Sequence, residues 1–281
     1  MLLCVDIGNT QIALGVYEGE HLLRDWRMRT DPRITADELE VAVRAMLGDY
    51  AARVGGVAAL STVPLLLREL RLMLERRAAR MPTVVVGPGV RTGVPLLVDN
   101  PREVGADRVV NTLAAHHRHA TACIVVDFGT STNIDVVSAK GEFLGGALAP
   151  GIEISMDALA RRAAALRTVE FVPPRSVIGK NTVECLQSGV LYGFAGQVDG
   201  LVRRIISELG PGAGPVIVLG TGGLAPLMRG ISDTITEYAP DLTLEGLRLT
   251  FERNVRSPAV NSVDVTDLRA DTARAARGTA V

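Results

Sequence analysis

Lysine is almost missing from this chain: Lys140 and Lys180 are the only two, and arginine supplies the rest of the 30 basic residues. The net charge is −1. With no basic stripe, neither nucleic acid nor an anionic membrane is an expected partner. Aromatic residues make up only 4%, against 47% hydrophobic residues in all, so the cores must be built from Ala, Val, Leu and Ile. The three cysteines, Cys4, Cys123 and Cys185, follow no pairing pattern and no zinc-ligand spacing. They read as small core residues in a reducing compartment. There is no charged-then-apolar leader and no apolar run of about 18 residues, which predicts a soluble cytoplasmic protein outside the membrane. A length of 281 residues favours two domains over one core.

What the chain does have is a repeated phrase. Leu3-Cys4-Val5-Asp6-Ile7-Gly8-Asn9-Thr10 continues into an alternating segment that ends at Gly19. Ile124-Val125-Val126-Asp127-Phe128-Gly129-Thr130-Ser131 does the same and ends at Gly141. Each copy predicts a buried strand with Asp near its tip, a glycine turn, and a second strand. Glycine lets the chain turn back where a side chain would meet a ligand, and the hydroxyl and amide residues after it offer donors to an anion. Two such hairpins facing each other would clamp phosphates, with a carboxylate at each tip.

A second echo follows the first. Val57–Thr62 runs into a helix expected from Pro64, and Val216–Gly223 into one expected from Leu224. The chain therefore reads as two duplicated α/β halves, 1–114 and 115–254, with 255–281 a weakly ordered polar tail. Between the echoes the pattern predicts a strand over 20–28, a helix over 35–47 with Thr35 and Glu38 as capping box, and a strand over 83–87. Further on it predicts a helix over 108–117, a strand end at 144–147, a helix over 151–166, and a helix over 182–206 interrupted by glycines.

Pro101–Arg108 lies on a loop entering a helix. Asp107 there is either a first-turn residue favoured by free N–H groups or a proton acceptor, with Arg108 beside it to orient a substrate. Asp6 and Asp127 are either turn formers or groups that position a cation near phosphates. Thr221-Gly222-Gly223 is a tight turn that a nucleotide could approach. His116, His117 and His119 cannot all face one site on a helix, so they predict no metal centre. Gly179-Lys180-Asn181-Thr182 lacks the upstream glycine of a P-loop.

Asp6–Thr10, Asn100–Arg108, Val126–Thr130, Gly145–Gly151 and Gly179–Thr182, in this order, resemble the type III pantothenate kinases over residues 1 to about 254. The resemblance implies two duplicated ribonuclease-H-like domains of the acetate kinase, sugar kinase, Hsp70 and actin superfamily, with ATP in the central cleft. It implies phosphorylation of the primary hydroxyl of pantothenate to 4'-phosphopantothenate, the first step towards coenzyme A. A homodimer, a divalent cation (Mg2+) and a monovalent one (K+ or NH4+) are implied with it. By motif, Asp6, Ile7, Gly8, Asn9, Thr10, Gln11, Ile12, Ala13 and Thr130 would bind ATP, and Asp107 would be the catalytic base. Val98, Gly105, Ala106, Asp107, Arg108 and Thr182 would hold pantothenate, and Asp127 the monovalent cation. The chain departs from the family at Val98, where many relatives carry Tyr. It departs again at Ser131 and Asn133-Ile134, where Ala and Thr-Phe are commoner. The alternatives are a non-catalytic nucleotide-binding regulator of the same fold and a kinase of another small hydroxylated metabolite.

Overall fold

Two five-stranded sheets of the same design make up the molecule, a computed structural model describing residues 1–78, 81–163 and 168–255. The first contains β1 (Leu2–Ile7), β2 (Gln11–Glu18), β3 (His21–Arg29), β4 (Gly56–Ser61) and β5 (Thr83–Val85), in the order β3-β2-β1-β4-β5. The second contains β6 (Ala122–Phe128), β7 (Ser131–Val137), β8 (Phe143–Pro150), β9 (Val216–Thr221) and β10 (Glu237–Tyr238), in the order β10-β9-β6-β7-β8. Read outward from the Asp-bearing strand, the two orders are identical. Each sheet has an antiparallel meander on one side of that strand and parallel neighbours on the other. The repeat read in the sequence is thus a repeat of topology.

Strand alternation decides what faces where. Leu3, Val5 and Ile7 of β1 pack under α1 (Ala36–Leu47) and α2 (Pro64–Ala78). Ile124, Val126 and Phe128 of β6 pack under α4 (Ile152–Arg162) and α5 (Thr182–Leu209). The opposite faces meet a shared layer made by α3 (Ala106–His119) and α6 (Leu242–Val255). Cys4 joins Val110, Leu244 and Leu247 there, while Cys123 and Val125 join Leu113, Ala114, Leu242 and Leu249. At their crossing α3 and α6 approach backbone to backbone, and a Cβ on Gly246 would run into the Val110 carbonyl. Asp6 and Asp127, in phase with Cys4 and Cys123, are therefore both turned toward this central layer.

The Thr35 capping box is present: Thr35 Oγ1 accepts from the Glu38 N–H, and the Glu38 carboxylate accepts from the Thr35 N–H at 2.9 Å. Several expectations need correction. The segment after Gly223 is only a short 3-10 turn, Ala225–Met228, and Gly230, at φ +76°, follows its end in a conformation that no helix continues. The helix from Thr182 runs unbroken to Leu209 through four glycines, and 144–147 belongs to a full eight-residue strand. Helix α6, with leucines at 242, 244, 247 and 249, was not foreseen at all. The expected tail, 255–281, lies outside the described residues but for Val255, which ends α6.

Candidate functional site

A cavity of about 240 Å³ opens between the two hairpins. The turn at 8–11 forms one wall and the turn at 129–131 another; Thr221–Leu224 and the 240–244 segment complete it. Each hairpin tip is closed by its glycine: the Gly8 N–H donates to the Gln11 carbonyl and the Gly129 N–H to the Ser131 carbonyl, both at 3.0 Å. The tips touch, with the Thr10 and Thr130 hydroxyl oxygens 2.8 Å apart.

Three carboxylates reach this cavity from three elements: Asp6 from β1, Asp127 from β6 and Asp107 from the first turn of α3. Burial pushes Asp6 up to about 8; the charges of Asp107 and Asp127 add to the rise and Arg27 opposes it. Asp127 is pushed up to about 7, first by burial and then by Asp107 and Asp135. Asp107 is raised as well, chiefly by burial, against the backbone N–H of Arg108 and the Arg108 guanidinium. Clustered acids kept from water favour their protonated forms until a cation arrives. Among the described residues no three acids, histidines or cysteines form a group able to hold a metal ion by themselves.

Two neighbours of these acids carry no motif. Asn111, one turn after Asp107 on α3 and 1% exposed, hydrogen-bonds the Asp127 carboxylate with its side chain. The Thr243 hydroxyl donates to Asn111 Oδ1 at 2.9 Å, which leaves the Asn111 NH2 for Asp127. The i, i+4 spacing to Asp107 was the only available sign of Asn111. Arg108 Nε donates to Asp135 Oδ1 at 2.7 Å, and the guanidinium stacks on the Phe143 ring with its carbon 5.1 Å from the centroid. The partner of Arg108 is thus a carboxylate of the chain itself. Asp135, 1% exposed, is pushed up to about 6 by burial, with Arg108 opposing.

Of the residues expected to meet nucleotide, Asp6, Gly8, Asn9, Thr10, Gln11, Ala13 and Thr130 line the cavity. The Ile7 and Ile12 side chains are fully buried in the core beneath α1 and α2. Of the expected pantothenate residues only Asp107 lines it; Gly105 forms the N-cap of α3, and Ala106 opens that helix and packs on the central core. Val98 lies partly buried near Gly145, and Thr182 is exposed at the start of α5, where Asn181 caps the helix by accepting from the Glu184 N–H. The sequence-atypical pair Ser131 and Asn133 lines the cavity together, and the Ser131 hydroxyl donates to Asn133 Oδ1 at 2.8 Å. Gly222, at φ +88°, folds against Asp127, where a Cβ would meet the carboxylate and lie 2.7 Å from the Phe128 carbonyl. Thr62, at the end of the echoed Val57–Thr62 segment, also reaches the cavity, as do Arg27 and Glu153, to which no sequence motif pointed.

A family model for the type III pantothenate kinases matches residues 2–204. A type III pantothenate kinase of Saccharopolyspora erythraea is 70% identical over 265 residues, covering 92% of this chain and all of that protein. The corresponding protein of Rhodococcus jostii is 64% identical over 259 residues, covering 90% and 96%. Among solved structures, the activator of the 2-hydroxyisocaproyl-CoA dehydratase from Clostridium difficile, with bound ADPNP, superposes with a TM-score of 0.54 at 11% identity, over 94% of this chain and 99% of that one. A ROK hexokinase from Thermus thermophilus superposes with a TM-score of 0.50 at 18% identity, over 91% and 99%. These likenesses show the fold, two duplicated halves of the actin-like ATPase kind.

Proposed function

The chain belongs to the type III pantothenate kinases, and we propose from that membership how its cleft works. It transfers the γ-phosphoryl group of ATP to the primary hydroxyl of pantothenate, in coenzyme A synthesis. The observation that carries the mechanism is the convergence of Asp6, Asp107 and Asp127 on one cavity between the duplicated hairpins.

Residues 6–13 and Thr130 hold the triphosphate: Gly8 and Gly129 bring backbone close, and Asn9, Thr10 and Thr130 supply polar groups. Asp107 accepts the proton of the attacking hydroxyl. Its raised affinity for a proton suits that task, since an ordinary carboxylate is too weak a base near neutral pH. Phosphoryl transfer otherwise needs in-line positioning and charge neutralisation. One or two of the three carboxylates would help to hold a divalent cation, which would supply charge neutralisation at the phosphates, and this fits a site without a protein cage. Asp127, steadied by Asn111 and lying among neutral donors, suits a monovalent cation such as K+ or NH4+.

Gly105–Arg108, with Val98 and Thr182, form the pantothenate side of the site. In this reading Arg108 is held in place by Asp135 and presents its remaining N–H groups. The structural units are 1–114 and 115–254, which exchange helices in the central layer. The protein is a cytoplasmic homodimer. Support comes from the exposed Leu148, Ile154, Val177, Ile178 and Val183, and from Gly189, Gly193, Gly196 and Gly200 of α5, where an added Cβ would meet nothing. Helices approach closely on such small-residue faces.

The test is ADP release with pantothenate and a panel of small hydroxylated compounds, in K+ and in Na+. Turnover confined to pantothenate and lost in Na+ is the expected result. Equal rates in Na+ and K+ would remove Asp127 from its role.

A further inference from the structure

The described residues lining the cavity include four carboxylates, Asp6, Asp107, Asp127 and Glu153, and a single cation, Arg27. A triphosphate is itself strongly anionic, so such a cavity repels its ligand unless positive charge is supplied at the right place. Metal ions bring part of it. The chain's own contribution is one guanidinium, carried by β3 and close enough to Asp6 to oppose the rise of its pKa.

Arg27 is held at two points. Nη1 donates to Asp25 Oδ2 at 2.7 Å, and Nη2 donates across the cleft to the Pro240 carbonyl at 3.1 Å. Pro240 belongs to the segment that also lines the cavity. A guanidinium carries five N–H groups, so these two bonds leave three for a ligand. The side chain is 39% exposed, open to the cleft instead of sealed in a buried ion pair.

We propose that Arg27 is a phosphate-contacting residue, its guanidinium meeting the terminal phosphates of the nucleotide and offsetting their charge during transfer. The proposal rests on the assignment of the cavity to ATP. Arg27 is tethered in advance by Asp25 and Pro240, so little side-chain freedom remains to be lost on binding. The Pro240 contact ties β3 to the segment between β10 and α6, and both partners line the cavity.

The test compares Arg27→Gln and Arg27→Lys with the parent in the full-length protein. Dissociation constants for ATP, ADP and AMP are measured by calorimetric competition, alongside melting temperature and turnover. Arg27→Gln should weaken ATP and ADP by about tenfold or more, leave AMP within about threefold, and cut turnover by about 10²–10³-fold, as loss of a preorganised donor does. Arg27→Lys should recover part of the ATP affinity, because it keeps the charge and loses the fork geometry. If AMP weakens as much as ATP, Arg27 is only a strut between the halves and the proposal fails. Unchanged ATP affinity and turnover in Arg27→Gln would also overturn it. Failure of the parent to bind ATP would reject the nucleotide assignment itself, a separate result from either.

Discussion

The hydroxyl oxygens of Thr10 and Thr130 sit 2.8 Å apart, although 120 residues separate them in the chain. Each occupies the position two residues after the hairpin glycine in the first copy and one after it in the second. Their contact joins the two turns that form opposite walls of the cleft.

That pair makes a quantitative prediction. A hydrogen bond of this kind contributes about 0.5–1.5 kcal/mol, so Thr10→Val or Thr130→Val should raise the KM for ATP by about 2–10-fold. The double variant should cost less than the sum, because the second substitution removes a hydroxyl that has already lost its partner. A double-mutant cycle on KM reads this directly; strict additivity would show that the two groups act independently.

The acid cluster makes stability depend on pH in a definite direction. Asp6 and Asp127 stand near 8 and 7 in the folded protein against a normal value of 3.8. The folded state holds these protons more tightly than the unfolded one. Their contribution is complete below the normal value of 3.8, falls as pH rises above it, and is fully lost once pH has passed about 7 for Asp127 and about 8 for Asp6. Asp127→Asn removes one such group. In metal-free buffer its melting temperature, relative to the parent, should rise between about pH 4 and 7 and level off above that. A difference that shrinks with rising pH would contradict the burial argument.

Two adjacent glycines should behave differently. Gly222→Ala forces an L-residue to φ +88° and drives a Cβ into the Asp127 carboxylate and the Phe128 carbonyl. Strain of about 1–3 kcal/mol, before any clash, should lower the melting temperature by several degrees and impair turnover. Gly223→Ala meets only Gln11 Oε1, at an ordinary 3.5 Å, and should be tolerated. Calorimetry on the two variants checks the contrast; equal melting temperatures would refute it.

The parts of the fold that were legible in the sequence were those with local causes. The hairpins announce themselves by apolar runs broken at Asp-x-Gly, and Thr35 with Glu38 declares the start of α1. Helix α6 escaped because it is buried nearly all round, including Arg248 at 3% exposure, so it shows no polar face to set its period. Strand β8 was read only as a strand end at 144–147, because Gly145-Gly146 weakens any strand pattern, although a Cβ on Gly146 would collide with the Ile134 carbonyl of the neighbouring strand. At the site, Asp6, Asp107 and Asp127 could be found from motifs. The Arg108–Asp135 pair, the Thr243–Asn111–Asp127 chain and the reach of Arg27 to Pro240 could not. These depend on where separate elements cross, and no local pattern records a crossing.

The central claim is that Asp107 takes the proton from the pantothenate hydroxyl, and Asp107→Asn tests it most directly. The Asp107 carboxylate also accepts backbone N–H groups at the start of α3, a structural role that Asn can keep. General base catalysis contributes about 10²–10⁴-fold. Turnover of Asp107→Asn with ATP and pantothenate should fall by that factor, while melting temperature and ATP affinity stay near those of the parent. A stable Asp107→Asn protein with full turnover would contradict the mechanism.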